Sequence, residues 1–203
     1  MKKDLNYIKI RESQLVDCLS IAKIHKEYLN RSFLGTLGER GLTLLYKTLV
    51  EYEESILIVA ENNGKVIGFI SGSMNVGDLY KYFLKRNSLK AFFFLLPRFI
   101  NVSIVKKVLE TLRYPKRDLE ISLPEADLLS IAVMEDYQGK GISKQLFKAL
   151  VNEFDKRGTS EFKIIVGTSL SRSQKFYKNL GCINFGKFEL HKGEKSEVYV
   201  FKG

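Results

Sequence analysis

Cysteine is scarce in this chain. Of 203 residues only Cys18 and Cys182 are cysteines, far apart and in no Cys-x-x-Cys pair, which argues against a disulfide framework and a cysteine-based zinc site. The two histidines, His25 and His191, are isolated and read as ordinary helix or strand residues. The first ten residues, MKKDLNYIKI, lack the apolar segment of a secretory signal. The most apolar stretch, residues 91–105, is interrupted by Pro97 and Arg98 and falls short of the roughly 20 apolar residues of a membrane span. A cytoplasmic protein is expected. Internal repeats and low-complexity linkers are lacking too. The sequence Gly-x-x-x-x-Gly-Lys-Ser/Thr of nucleotide triphosphatases is missing, as is Gly-x-Gly-x-x-Gly at the first strand, so both familiar phosphate loops are excluded.

What is present suits a globular protein. An apolar fraction of 45% and a charged fraction of 28% are ordinary, and the length suits one domain, or one domain with an insertion. Residues 5–11 alternate as a strand. Ser13 is the expected N-cap of a helix running to about Tyr28, with Leu15, Cys18, Ile21, Ala22 and Ile24 inward. A second helix over 37–53 has Leu42, Leu45, Tyr46 and Val50 as its stripe. Strands at 55–61 and 65–72 flank Asn62-Asn63-Gly64, a hairpin signal because Asn and Gly tolerate positive φ. Helical spacing recurs at 79–83 and 100–112. A buried strand over 127–133, an amphipathic helix over 141–157, a strand at 162–166, a short helix at 172–180 and a terminal pair at 182–190 and 197–202 complete the chain. The order β-α-α-β-β-(helical insert)-β-α-β-α-β-β predicts an α/β fold on a mixed sheet.

The strand at 127–133 turns through Gly139 and Gly141 straight into a helix. First-turn amides at such a junction lack intrahelical acceptors and lie at the positive end of the helix dipole, and glycine lets the backbone approach a ligand closely. The product is an anion site suited to a diphosphate. By itself, a Gly-x-Gly turn also serves simply to start a helix.

Residues 128–150 (LLSIAVMEDYQGKGISKQLFKAL) resemble the acetyl-CoA-binding motif of the GNAT superfamily of N-acetyltransferases. The family fingerprint Arg/Gln-x-x-Gly-x-Gly/Ala reads here Gln138-x-x-Gly141-x-Ser143. Residues 173–182 (SQKFYKNLGC) resemble the family's second motif, and residues 55–72 resemble its central hairpin. The resemblance implies a GNAT-like acyl-CoA N-acyltransferase fold over residues 1–203, with a basic, aromatic-rich insertion at about 76–122. It implies acetyl-CoA as co-substrate and no metal. Ile131, Ala132 and Val133 would meet the pantetheine arm as an added strand, with the thioester carbonyl near the Val133 amide. Gln138, Gly139, Lys140, Gly141, Ile142 and Ser143 would wrap the diphosphate, and Tyr177 matches the tyrosine that protonates the departing thiolate in many relatives. Two positions depart from the pattern: Ser143 replaces Gly or Ala, and Leu170 stands where an Asn is common, with Ser169, Ser171 or Ser173 as substitutes.

An amine attacking a thioester must be unprotonated, and a lysine-like ammonium has a pKa near ~10.4. A carboxylate base is therefore expected, and Glu125 and Asp127, with Glu120 further off, lie at the entrance of the central strand. Each also reads as a solvated turn carboxylate. A fixed donor such as the Val133 amide suits the developing oxyanion.

Net charge is +10. Residues 81–118 hold ten Lys and Arg against Glu110 and Asp118, a local +8 that attracts anions. Three readings of this insertion stand side by side: a hydrophobic flap with a solvated basic face, a lid gripping an anionic acceptor such as a nucleotide-linked amino sugar, and a contact with anionic lipid. Nucleic acid is not expected as a partner, since no recognition motif accompanies the charge. Expected partners are a small-molecule amine and, as monomer or homodimer, at most a second copy. The competing functions are a CoA-binding sensor or scaffold without turnover, and an acyltransferase using a longer acyl-CoA.

Overall fold

The computed structural model describes residues 7–30, 34–99, 123–191 and 194–203. The strands are β1 (Ile8–Glu12), β2 (Ser55–Asn62), β3 (Lys65–Ser73), β4 (Asp127–Val133), β5 (Glu161–Gly167), β6 (Ile183–His191) and β7 (Glu194–Lys202). The helices are α1 (Cys18–Tyr28), α2 (Gly38–Glu51), α3 (Val76–Phe99), α4 (Ile142–Lys156) and α5 (Ser171–Asn179). The strands form a mixed seven-stranded sheet in the order β1-β2-β3-β4-β5-β7-β6. The chain divides into two compact units, Met1–Ser73 with Leu129–Gly158, and Met74–Leu128 with Thr159–Gly203.

In the first unit β1, β2 and β3 pair antiparallel. Asn63 (φ 49°) and Gly64 (φ 76°) make the β2–β3 hairpin turn with the two successive positive φ values that match strand twist. Nearly every residue of β2 and β3 is buried, which requires cover on both faces. Phe69 of β3 packs against His25 of α1 and Tyr46 of α2. The buried stripe of α4, Ile142, Leu146, Phe147, Leu150 and Phe154, serves the same strands.

The structure corrects three local expectations. Ser13 is not the N-cap of the first helix, because its N–H still bonds the Leu57 carbonyl (2.8 Å) as a strand residue would. Gln14 caps a 3-10 turn at Leu15–Asp17, where the Asp17 carboxylate accepts from the Gln14 amide at 2.8 Å, and Asp17 is itself the N-cap residue of α1. Leu15 lies outside the core, 48% exposed. In α2 the buried stripe takes Thr48 and Leu49 in place of the half-buried Val50, following the turn of the helix.

In the second unit β5, β7 and β6 pair antiparallel, and Asp127 and Leu128 of β4 pair parallel with Lys163 and Ile164 of β5. Its core includes Phe162, Ile164, Val166, Tyr177, Val198, Tyr199 and Val200. Gly181 (φ 83°) closes α5, where the Gly181 and Cys182 amides return to the carbonyls of Lys178 and Tyr177. The helical spacing at 79–83 falls within α3, which breaks its helical geometry at Asn87. The helix expected over 100–112 lies outside the described residues. No described helix is long and apolar enough to cross a membrane.

Candidate active site

The junction between β4 and α4 belongs wholly to the first unit. After Val133 the chain makes a 3-10 turn at Glu135–Tyr137, extends through Gln138 (φ −69°, ψ 159°) and enters α4 from Gly141. Gly139 and Gly141 have φ of 73° and 78°, a region that disfavours side-chain-bearing residues. A Cβ on either glycine would meet nothing within 4 Å, so these positions ask for glycine through backbone conformation. No side chain caps the start of α4. Its first-turn amides are therefore left to water or a ligand. Gly139, Lys140 and Gly141 are exposed, Ser143 is half-buried, and the Ile142 side chain anchors the turn in the core at 1% exposure.

Several contacts hold this turn. The Met134 N–H bonds the Ile67 carbonyl (2.9 Å), and the Glu135 N–H donates to the Tyr28 hydroxyl (3.2 Å) at the end of α1. Buried Tyr137 receives the Asn62 side-chain amide at 3.4 Å, and the Lys140 ammonium lies 5.3 Å from the Tyr137 ring centre. The Gln138 side chain donates to the Val133 carbonyl at 2.9 Å. A backbone held at several points, an uncapped helix start and no acidic residue from Gln138 to Ser143 suit a diphosphate electrostatically. Ile131, Ala132, Val133, Gln138, Gly139, Lys140, Gly141, Ile142 and Ser143 are thus brought together in one unit.

The three residues expected to move protons lie in the second unit. Glu125 is exposed and accepts from the Asn75 side chain at 3.2 Å. Asp127 is 5% exposed and ion-paired with Lys163 at 2.8 Å. Burial pushes the Asp127 carboxyl up to about 6, against the opposing pull of the Lys163 charge. Lys163 also donates to the carbonyls of Pro124 (2.6 Å) and Glu125 (3.0 Å), so one ammonium gathers the whole entrance of β4. Tyr177 is buried on α5, with ring centres at 5.3 Å from Phe176 and 6.3 Å from Tyr199. Burial, followed by the neighbouring Cys182, pushes its phenol up. Glu120 lies outside the described residues.

Sequence reading missed several groups. Lys163 alternates with buried strand residues, and nothing in its spacing named Asp127 as partner. The buried Glu197 accepts from Tyr199 (2.7 Å) and Asn184 (2.8 Å), hydrogen bonds that hold its carboxyl below the usual range. At the position where the family often has Asn, Leu170 is 43% exposed. The nearby loop is tied instead by Gln174, whose amide donates to the carbonyls of Gly167 (3.3 Å) and Thr168 (3.1 Å).

The model of the acetyltransferase (GNAT) family matches residues 22–182, most of the chain. The chain belongs to this family. Among proteins of known activity it is similar to the ribosomal protein bS18-alanine N-acetyltransferase of Escherichia coli K12, with 36% identity over 62 residues. That match takes in 30% of this chain and 42% of the relative, so the chain spans less than half of the relative's length. Among solved structures it is similar to the PaiA N-acetyltransferase of Thermoplasma acidophilum in complex with coenzyme A, with a TM-score of 0.62 and 14% identity over 97% of this chain and 99% of that one. It is also similar to the ribosomal-protein-S18-alanine N-acetyltransferase of Escherichia coli, with a TM-score of 0.55 and 15% identity over 97% and 94% of the two chains. At these identities the solved structures bear on the fold. Among the described residues no group of three or more His, Cys, Asp and Glu is placed to hold a metal ion.

Proposed function

We propose that this chain transfers the acetyl group of acetyl-CoA to a primary amine by direct attack of the amine on the thioester. The observation that carries the reading is the β4–α4 junction: two glycines at positive φ, an uncapped helix start, and an exposed backbone held by its surroundings. In this reading the amides of Gly139 to Ser143 hold the diphosphate, Ile131 and Val133 offer backbone groups to the pantetheine arm, and the Val133 N–H stabilises charge on the thioester oxygen. Tyr177 returns a proton to the departing thiolate. Glu125 and Asp127 are the proposed bases, and Asp127 would act only on release from Lys163.

The acceptor divides into two readings. A small amine, such as an amino sugar or a nucleotide-linked sugar, is supported by the cationic segment at 81–118. A peptide α-amine is supported by the 62-residue likeness to a ribosomal protein bS18-alanine N-acetyltransferase. It also suits the chemistry, because an α-amino group has a pKa near ~8 and needs less help from a base than a lysine-like amine.

The test mixes the full chain with acetyl-CoA, a thiol reagent and a panel of N-terminal alanine peptides, amino sugars and nucleotide-linked amines. Thiol release with one class names the acceptor. Tyr177→Phe should lower kcat by about tenfold or more, since general acid catalysis contributes roughly 10²–10⁴-fold; an unchanged rate removes Tyr177 from that role. Tight CoA binding with no turnover on any amine would make the protein a sensor or scaffold. Faster turnover with longer acyl-CoAs would redefine the acyl donor.

A further inference from the structure

The backbone of β4 addresses two different edges. Met134 donates to the Ile67 carbonyl, Ser71 Oγ approaches the Ser130 carbonyl at 3.5 Å, and a Cβ on Gly68 would lie 2.9 Å from the Ala132 carbonyl. Ser130, Ala132 and Met134 therefore face β3. Backbone groups of successive strand residues point to opposite edges, so those of Ile131 and Val133 face away from β3. That is the edge on which an extended ligand would add as a strand. On it, the Gln138 side-chain Nε2 already donates to the Val133 carbonyl at 2.9 Å.

We propose that Gln138 is a positioning residue that closes this edge of β4 at Val133 and so sets the register of the pantetheine arm and its thioester; the inference rests on the acetyl-transfer reading. An amide-bearing arm pairs with a strand through alternating donors and acceptors, and Ile131 and Val133 present the same pair of groups one step apart. Nothing in the strand itself distinguishes the two registers. An arm shifted one step toward α4 needs the Val133 carbonyl as acceptor for a ligand N–H, and there it would have to share or displace the Gln138 amide. An arm in register at Ile131 finds both groups available for pairing and leaves the Val133 N–H for the thioester oxygen. The 3-10 turn at Glu135–Tyr137 makes this possible by bringing residue 138 back to the strand it has just left. The Gln138 side chain thus serves the strand, while the glycine-rich backbone after it serves the anion.

The test compares the wild type with Gln138→Met, which keeps the length and loses the donor, Gln138→Glu, which keeps the shape and cannot donate when ionised, and Gln138→Arg, which restores a donor. Steady-state kinetics with acetyl-CoA are read beside calorimetric titration with CoA and with adenosine 3′-phosphate 5′-diphosphate, which carries the diphosphate without the arm. Melting temperatures identify any variant that fails to fold, and the remaining ones carry the comparison. With the two registers left to compete, the Met and Glu variants should show kcat and the KM for acetyl-CoA falling together by at least about twofold, as an unproductively placed arm does, with the nucleotide Kd unchanged. Gln138→Arg should recover most of that loss. Wild-type kcat in both Met and Glu variants overturns the assignment. So does a nucleotide affinity that falls in parallel with kcat, which would give the side chain to the diphosphate. A wild type that binds no CoA overturns the acetyl-transfer reading itself, and the wild-type titration tells that failure apart.

Discussion

His25 looks unremarkable in the sequence, yet it is wholly buried, with Nδ1 2.6 Å from the Tyr46 hydroxyl and its ring stacked 6.2 Å from that of Phe69. Burial pushes its pKa down from 6.5 to about 4. The fold therefore favours neutral His25, and the stability this confers is complete above pH 6.5 and is lost as pH falls toward 4. Asp127 behaves oppositely. Burial raises its pKa from 3.8 to about 6, so the fold favours its protonated form, and that contribution is lost as pH rises through 6. The two effects offset one another across the same window. Replacing either group exposes the other: between pH 7 and pH 4.5, Asp127→Asn should lose about 2 kcal/mol more unfolding free energy than the wild type, and His25→Gln about 2 kcal/mol less. Urea melts at the two pH values check both, and identical pH dependence in all three proteins would refute the account. Neither partnership is legible in sequence, because spacing tells which face a residue occupies and not what waits there.

At the scale of elements, local periodicity carried most of the information. The hairpin at Asn63-Gly64, strand β4 and helix α4 lie where alternation, turn chemistry and helical spacing put them. The start of α1 did not, since Ser13 satisfies the cap pattern locally while its amide is claimed by β2. Gly68 is a similar case. In sequence it is one glycine in a strand, but a Cβ there would lie 2.9 Å from the Ala132 carbonyl and 3.0 Å from Val133 Cγ2. The first is closer than packed atoms come, and the second asks the Val133 side chain to give by a few tenths of an ångström. Gly68→Ala should destabilise the protein by about 1–3 kcal/mol, the usual cost of overpacking, as read from the urea midpoint. The strain falls on Ala132 and Val133, so CoA affinity should fall as well. A variant with wild-type stability and affinity would mean that β3 and β4 do not approach so closely.

For the whole molecule, charge is the dominant property. A chain of net charge +10 attracts an anionic ligand before any specific contact forms. Stopped-flow association with CoA should slow several-fold between about 50 and 500 mM salt, as the screening length shrinks from roughly 14 to 4 Å, while dissociation changes little. An association rate indifferent to salt would show that the excess charge plays no part in capture. The basic residues in the described part of the cationic segment include Lys81, Lys85 and Arg86, all on α3.

What the sequence determined by itself was local in origin: the order of strands and helices, set by hydrophobic period, and the glycine-punctuated junction after Val133, whose outward amides follow from how any helix begins. Family membership followed from the same strings, since those motifs are contiguous. Folding decided the rest, by joining residues that no spacing rule connects. It placed His25 against Tyr46, matched Lys163 to Asp127, set Gly68 beneath Ala132 and turned Gln138 back onto Val133. Each pairing depends on which surfaces meet when the elements pack, and packing is a property of the whole arrangement of the chain.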